Sequence, residues 1–425
     1  MNPSGSNLPE LHRAFATEVV LRLKEAGFEA LWAGGCVRDL LRGQAPVDYD
    51  VATSALPEQV RTLFGHRRTL PVGASFGVII VLGPTKQHGQ IEVATFRTDA
   101  TYSDGRHPDA VSFSTPEHDA MRRDFTINGM FYDPVHAETI DFVGGREDLR
   151  NRTIRAIGNA DHRIAEDKLR MLRAIRFAAR FEYDIDAATY SAICRHSGQI
   201  AVVSRERMAT EMRKTLVTAR AAWAVDRWSE TGLLKVLMPE VAHAWSDHRQ
   251  LTMAIIEQLR DCQWTVAMAG LLLPLTENLS QQQSNELVCT VGTNLRLANE
   301  ETAEVAYILR SQADLHRADQ LAWSLVQPTL ADRRASLAVS LLEARAGAGL
   351  FPVHVYRWLR QKLSLPSEQL NPPPLVTGQD LIAAGLRPGP EFKKLIQHVR
   401  DLQLDGQLAN SRDALDWISR VRDDH

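Results

Sequence analysis

The sequence predicts an α+β chain, with a small mixed sheet and its helices in residues 1–150 and an all-helical remainder. Three observations carry this. Short apolar runs bounded by glycine-rich turns recur early in the chain: Ala30-Leu31-Trp32-Ala33, Gly77-Val78-Ile79-Ile80-Val81-Leu82 and Ile91-Glu92-Val93-Ala94-Thr95-Phe96. Their length and β-branched content are those of strands. Strand signals then fade after Arg150, and from Ala165 onward the chain reads as helix, with breaks expected at Pro239, Pro328, Pro352 and Pro372-Pro373-Pro374.

Taken in order, residues 8–26 place Leu11, Phe15, Val19 and Leu23 on one helical stripe, and Gly27 is positioned to stop it. The strand at 30–33 runs into Gly34-Gly35, and a helical pattern follows over 37–41. Asp48-Tyr49-Asp50 then enters the apolar Val51-Ala52, and the strands at 77–82 and 91–96 come next, separated by a turn-rich segment.

The chain has 425 residues, too many for one ordinary domain. It is 44% hydrophobic and 24% charged, which fits a globular protein and excludes long disorder. No apolar run approaches the ~20 residues that span a bilayer, and Met1-Asn2-Pro3-Ser4-Gly5 lacks a basic region followed by an apolar one, so a cytoplasmic protein with no membrane partner is expected. Cys36, Cys194, Cys262 and Cys289 form no CxxC pair, which argues against structural zinc and against a disulfide framework. The net charge is −3, yet residues 120–220 hold 18 Lys and Arg against 14 Asp and Glu. A basic stretch in an acidic chain suits a confined phosphate-contacting surface, or simply solvated helix faces.

In a strand, residues i and i+2 share a face, so Asp48 and Asp50 converge as two hard oxygen ligands suited to Mg²⁺. Alone, such a pair also fits a solvated turn. Upstream, Gly34-Gly35 opens a helix whose N–H groups can approach a triphosphate, and Arg38 adds a guanidinium fork. Together the two segments describe a metal–nucleotide site. Arg122-Arg123-Asp124 offers forks either to phosphate oxygens or to an ion pair. In residues 165–181, Asp167, Arg170, Arg173 and Arg176 recur every third position of a helical pattern, so Asp167 and Arg170 can act as a pair, while Leu169, Leu172, Ile175 and Phe177 supply a buried side. Cytosine and adenine both set an amino donor beside a ring-nitrogen acceptor, so an aspartate–arginine pair suits both.

GGCVRDLLRGQAPVDYDVAT, MRRDFTINGMFYD and AEDKLRMLRAIRFAARF, in this order and spacing, resemble the class II tRNA nucleotidyltransferase and bacterial poly(A) polymerase group of the DNA polymerase β superfamily. The resemblance is strong over about residues 25–240. It implies a polymerase-β-type nucleotidyltransferase head at 1–150, a neck at 151–240, a helical body at 241–370 and a tRNA-binding tail at 371–425. Asp48 and Asp50 are then the catalytic, Mg²⁺-holding residues, with Glu92 as a candidate third carboxylate. Gly35, Arg38 and Arg123 bind nucleotide, Asp167 and Arg170 select CTP and ATP, and Arg173 and Arg176 contact the triphosphate.

The implied reaction is template-independent addition of CCA to the 3′ end of tRNA, with A-only or poly(A) addition as alternatives and a non-catalytic RNA-binding protein as a rival of another class. Where relatives carry a His-Asp metal signature this chain has Ala269-Gly270-Leu271-Leu272-Leu273-Pro274-Leu275, so no second metal site or phosphohydrolase activity is expected. Near the end, Thr377-Gly378-Gln379-Asp380 with its Gly/Pro loop reads as an RNA-phosphate contact or a helix-capping turn. The polar Tyr102-Ser103-Asp104-Gly105-Arg106-His107-Pro108 corresponds to the loop that such enzymes use to switch from C to A, so terminal A addition is expected.

Overall fold

The computed structural model describes residues 8–73, 77–99, 111–386 and 389–423, so the loop at 102–108 lies outside the described residues. The chain divides into two compact units, Met1–Thr215 with Trp223–Leu237, and Leu216–Ala222 with Met238–His425.

In the first unit, helix α1 (Leu8–Glu25) ends where Gly27 takes a φ of 85°. Strand β1 (Ala30–Ala33), helix α2 (Gly35–Leu41) and strand β2 (Asp50–Thr53) follow. After α3 (Pro57–Phe64) come β3 (Thr69–Gly73), β4 (Val78–Leu82) and β5 (Gln90–Thr95). A small ribbon, β6 (Arg97–Asp99) and β7 (Val111–Phe113), precedes α4 (Pro116–Met121). Then β8 (Phe131–Asp133) and β9 (Glu138–Ile140) complete a mixed seven-stranded sheet in the order β3-β4-β5-β2-β1-β8-β9.

Strand β2 lies in the middle, antiparallel to β1 and parallel to β5. Strand alternation sorts its side chains. Val51 joins Phe15, Val19, Leu23, Trp32, Ile79 and Val93 in the larger core under α1 and α3, whereas Ala52 packs with Leu31, Ala33, Phe96 and Phe131 on the opposite face. Asp50 shares the face of Ala52.

Next come α5 (Gly145–Arg150), β10 (Thr153–Ile154), α6 (Ala160–Glu166), α7 (Arg170–Phe181), β11 (Asp184–Ile185) and α8 (Ala187–His196), with β10 and β11 paired in parallel. Here the expected continuous helix over 165–181 fails. Asp167 leaves helical geometry at φ −135° and ψ 104°, and its carboxylate accepts the N–H of Leu169 at 3.1 Å. The side chain competes for backbone donors as aspartate does at helix starts, so it ends one helix and opens the next.

The second unit is helical from Pro239–His243 to Ser411–Asp423, with cores around Val339 and Leu359 and around Leu381 and Val399. Residues 266–274 are a fully buried stretch of the helix Trp264–Thr276, so the apolar run from Ala269 to Pro274 is core. Pro239 starts a helix and Pro352 caps one, but Pro328 sits inside Trp323–Leu330 instead of breaking it. In so short a helix only the Ser324 carbonyl loses an N–H partner to that proline. Thr377 caps Gly378–Ala383 in a capping box with Asp380. No described helix is long and apolar enough to cross a membrane.

Candidate active site

The glycine turn is built by necessity. Gly34 has φ 72° and ψ −124°, and a Cβ there would lie 3.0 Å from Arg123 Nη1. Only glycine meets both demands. Gly35 then begins α2, whose first N–H groups have no intrahelical acceptor.

A cavity of about 430 Å³ opens there, lined by Gly34, Gly35, Arg38, Asp50, Arg97, Arg122, Arg123, Asp124, Asn128, Asp167, Arg170, Arg173 and Phe177. It gathers six of the nucleotide-binding residues expected from the sequence, together with Asp50. Asp48 and Arg176 lie outside its lining.

Arg38, Arg122, Arg123, Arg170 and Arg173 in this lining are each held by a carboxylate. Arg38 is buried, forks onto both oxygens of Asp39 at 2.9 Å, and donates from Nη1 to Asn128 Oδ1 at 2.6 Å. Arg122 and Arg123 share buried Asp119, at 2.7 and 2.8 Å. Burial works to raise the Asp119 carboxyl, but the charges of Arg123 and Arg122 outweigh it and hold it below its usual range. Arg173 donates from Nε and Nη2 to Asp124 at 2.9 and 2.6 Å. Against burial, that guanidinium and its hydrogen bonds, with one from Asn128, hold Asp124 at about 2.

Asp167 and Arg170, expected from the sequence to act as a pair on one helix, are arranged differently. Arg170 bonds Glu166 at 2.8 Å, Arg163 O at 2.8 Å and Arg122 O at 3.1 Å, while Asp167 is bridged by Arg207 at 3.1 Å. The helix break separates the two, yet both reach the cavity. Arg176, expected at the triphosphate, is instead buried, 2.5 Å from Glu211 and with its guanidinium 4.1 Å from the Phe177 ring. Glu211 also lies 3.8 Å from Arg173.

The carboxylates form the other half of the site. Tyr49 is buried while Asp48 and Asp50 are exposed, but β2 begins only at Asp50, so Asp48 stands in the bend before the strand and not on the strand face that the sequence predicts. Parallel pairing sets Glu92 on β5 beside Asp50. Asp50 keeps solvent access, but the protein packed around its carboxyl, then the charge of Glu92, push it up to about 6; Arg123 opposes this and Asp48 adds to it. Mutually repelling carboxylates on one face are the chemistry of a cation site. Among the described residues no three acidic, His or Cys side chains close into a metal cage. An open two- or three-carboxylate face suits a hydrated Mg²⁺ that also takes substrate phosphates, so the donors fit.

Sequence reasoning missed Asn128, Asp119, Arg207 and Glu211. Asn128 lies within the second motif, polar between Ile127 and Gly129-Met130, which is the signal that could have found it; Asp119 precedes that motif in a polar stretch that offers none.

Residues 30–155 match the family described as Poly A polymerase head domain, and residues 182–244 match the probable RNA and SrmB-binding site of polymerase A. A CCA-adding enzyme of Geobacillus stearothermophilus is 33% identical over 402 residues, covering 94% of this chain and 95% of that one. The crystal structure of Bacillus stearothermophilus CCA-adding enzyme in complex with CTP has a TM-score of 0.78 at 28% identity, covering both chains fully. The Thermotoga maritima CCA-adding enzyme complexed with tRNA shares the fold, with a TM-score of 0.66 at 19% identity over 96% of this chain and 95% of that one. Similarity over almost the whole length, joined to a polymerase-type head, establishes that the chain belongs to the CCA-adding enzyme family of nucleotidyltransferases.

Proposed function

We propose that this chain adds C, C and A in turn to the 3′ end of tRNA, taking CTP and ATP and releasing pyrophosphate, in the cytoplasm. The observation that carries the reading is the Asp50–Glu92 carboxylate pair, with the charge of Asp48 felt at Asp50, beside a cavity walled by arginines. Nucleotidyl transfer needs this pairing: anionic ligands for a metal, and fixed cations for phosphates.

Asp48 and Asp50, with Glu92 as a third donor, would hold Mg²⁺. Held there, the ion would supply Lewis acidity for the transfer. The chain's own residues position the reactants. Gly34 and Gly35 let the backbone approach the triphosphate, and Arg123 and Arg173, fixed by Asp119 and Asp124, meet phosphate oxygens without reorganising. Asp167 accepts the amino group of cytosine or adenine, and Arg170 donates to the ring acceptor. Arg38 braces the turn through Asn128, and Arg176 acts through Glu211 on Arg173. The 3′-oxygen attacks the α-phosphorus, the bond to the bridging oxygen breaks, and pyrophosphate departs.

We assign head, neck, body and tail to residues 1–150, 151–240, 241–370 and 371–425, and the C-to-A switch to residues 102–108. The test uses tRNAs ending before CCA, after C and after CC, each with one labelled triphosphate. CTP enters the first two and ATP the third; a product stopping at CC, or addition only to tRNA already ending in CC, overturns full CCA addition. Asp48→Ala and Asp50→Ala lose incorporation with unchanged circular dichroism, and turnover in either folded variant removes that residue from the metal site.

A further inference from the structure

Behind the nucleotide cavity, the first unit holds a second one of about 530 Å³, lined by Arg42, Arg150, Arg152 and Arg180 with Glu182 as its single acidic residue. We propose that these four arginines form a second oxyanion site that takes phosphate groups of the RNA substrate; the assignment of RNA rests on the tRNA reading above.

The charge balance is the first argument. Arg42 reaches Gln44 at 3.1 Å and stands 3.9 Å from Asp39, whose two oxygens are already forked by Arg38. Arg150 donates to the Arg146 carbonyl, and Arg180 lies over Phe181 at 5.3 Å. Among the described residues, Arg150, Arg152 and Arg180 have no carboxylate within the 4.0 Å of an ion pair. In the nucleotide cavity, by contrast, Arg38, Arg123, Arg170 and Arg173 each have one.

Helix ends do not account for this. Arg42 caps α2, Arg150 ends α5 and Arg180 lies in the last turn of α7, so each complements a helix dipole. A helix C-terminus carries at most about −0.5 charge, so three offset about 1.5 of the net three positive charges. Arg152 ends no helix at all. It and Glu182 both sit in left-handed backbone, at φ 53° and 57°, where L residues are uncommon, so two guarded turns shape the rim. Guanidinium forks of this kind match phosphate oxygens.

Position favours RNA as the source. The Phe181 ring is flanked by Arg38, 4.6 Å away and lining the nucleotide cavity, and by Arg42, 4.4 Å away and lining the second. One aromatic ring thus separates the two cavities, and a strand reacting at its 3′ end carries further phosphates close by. A free anion such as pyrophosphate has the same chemistry and is the other source.

The test compares the full-length chain with Arg150→Gln/Arg180→Gln and Arg150→Glu/Arg180→Glu, with thermal melting by circular dichroism as the folding control. The measurements are affinity for a tRNA transcript lacking CCA across a salt series, KM for CTP, and inhibition by pyrophosphate. For RNA phosphate, the Gln pair binds the transcript roughly ten-fold more weakly and lowers the log–log salt slope by about 2, one unit per cation. The Glu pair binds weaker still, while KM for CTP and kcat stay within about two-fold by the same reasoning. Unchanged transcript binding with weakened pyrophosphate inhibition retains the oxyanion site and assigns it to the free anion. If the folded Gln pair matches the parent in both, the site is refuted. A parent chain that binds transcript but adds no nucleotide refutes the functional reading alone.

Discussion

Asp124 fixes Arg173 in the cationic wall of the cavity. Its Oδ2 takes both donors of Arg173, and its Oδ1 takes Asn128 Nδ2 at 3.1 Å and its neighbour's N–H at 2.8 Å. The carboxyl is held at about 2 against an ordinary 3.8. At 1.36 kcal/mol per unit, a depression of nearly two units corresponds to about 2.5 kcal/mol of folding stability. Because the folded value is the lower one, that stability is fully present above about pH 5 and is lost as the pH falls through 3.8 towards 2. Asp124→Asn keeps the shape and removes the charge, leaving Arg173 with Glu211 at 3.8 Å. It should therefore cost about 2–3 kcal/mol at pH 7 and converge on the parent near pH 2. Urea unfolding at pH 7 and pH 3, followed by hydrogen exchange in peptides spanning β1 and β2, reads the first unit without the second. A deficit below about 0.5 kcal/mol at pH 7, or one that persists undiminished at low pH, would refute the argument.

Gly34→Ala forces a side chain into a φ of 72° and against Arg123 Nη1, so it should cost about 1–3 kcal/mol in strain and weaken CTP and ATP equally in equilibrium binding. Glu211→Gln leaves the Arg176 charge buried and should cost about 3 kcal/mol in the same urea assay, whereas Arg176→Met/Glu211→Leu should recover most of it. Arg170→Ala should shrink the preference for CTP and ATP over UTP and GTP by about 1–3 kcal/mol, measured as kcat/KM ratios, and unchanged ratios would end its base-reading assignment.

Much of the fold was legible because its signals are local. The glycine turn and the apolar runs that became β1, β4 and β5 need nothing beyond φ/ψ sterics and strand period, whereas that period does not reach Asp48, because β2 begins at Asp50. Strands β8 and β9 gave no such signal, since each has three residues and exists by pairing along the edge of the sheet. The threefold spacing reads as one continuous helix through Asp167 and Arg170, although an aspartate before Leu169-Arg170 is also a helix-start signature, and the chain breaks there. The burial of Arg176 was illegible because Glu211, its partner, is 35 positions away.

That pairing explains how one cavity holds so many guanidiniums. Bare arginines in a cleft repel one another and fold against their own charge. Asp39, Asp119, Asp124, Glu166 and Glu211 neutralise them in the resting protein and fix the forks in place, so a triphosphate meets donors whose orientation is already set. The same carboxylates limit how strongly any one phosphate is held, which suits an enzyme that must release pyrophosphate after each addition and accept a different base next. Asp50 stands apart from this compensation: after burial, Glu92 is the charge that acts on it most and Asp48 adds to it, while Arg123 opposes them. The excess negative charge therefore collects at the proposed cation site, and the balanced charge in the arginine-walled cavity beside it.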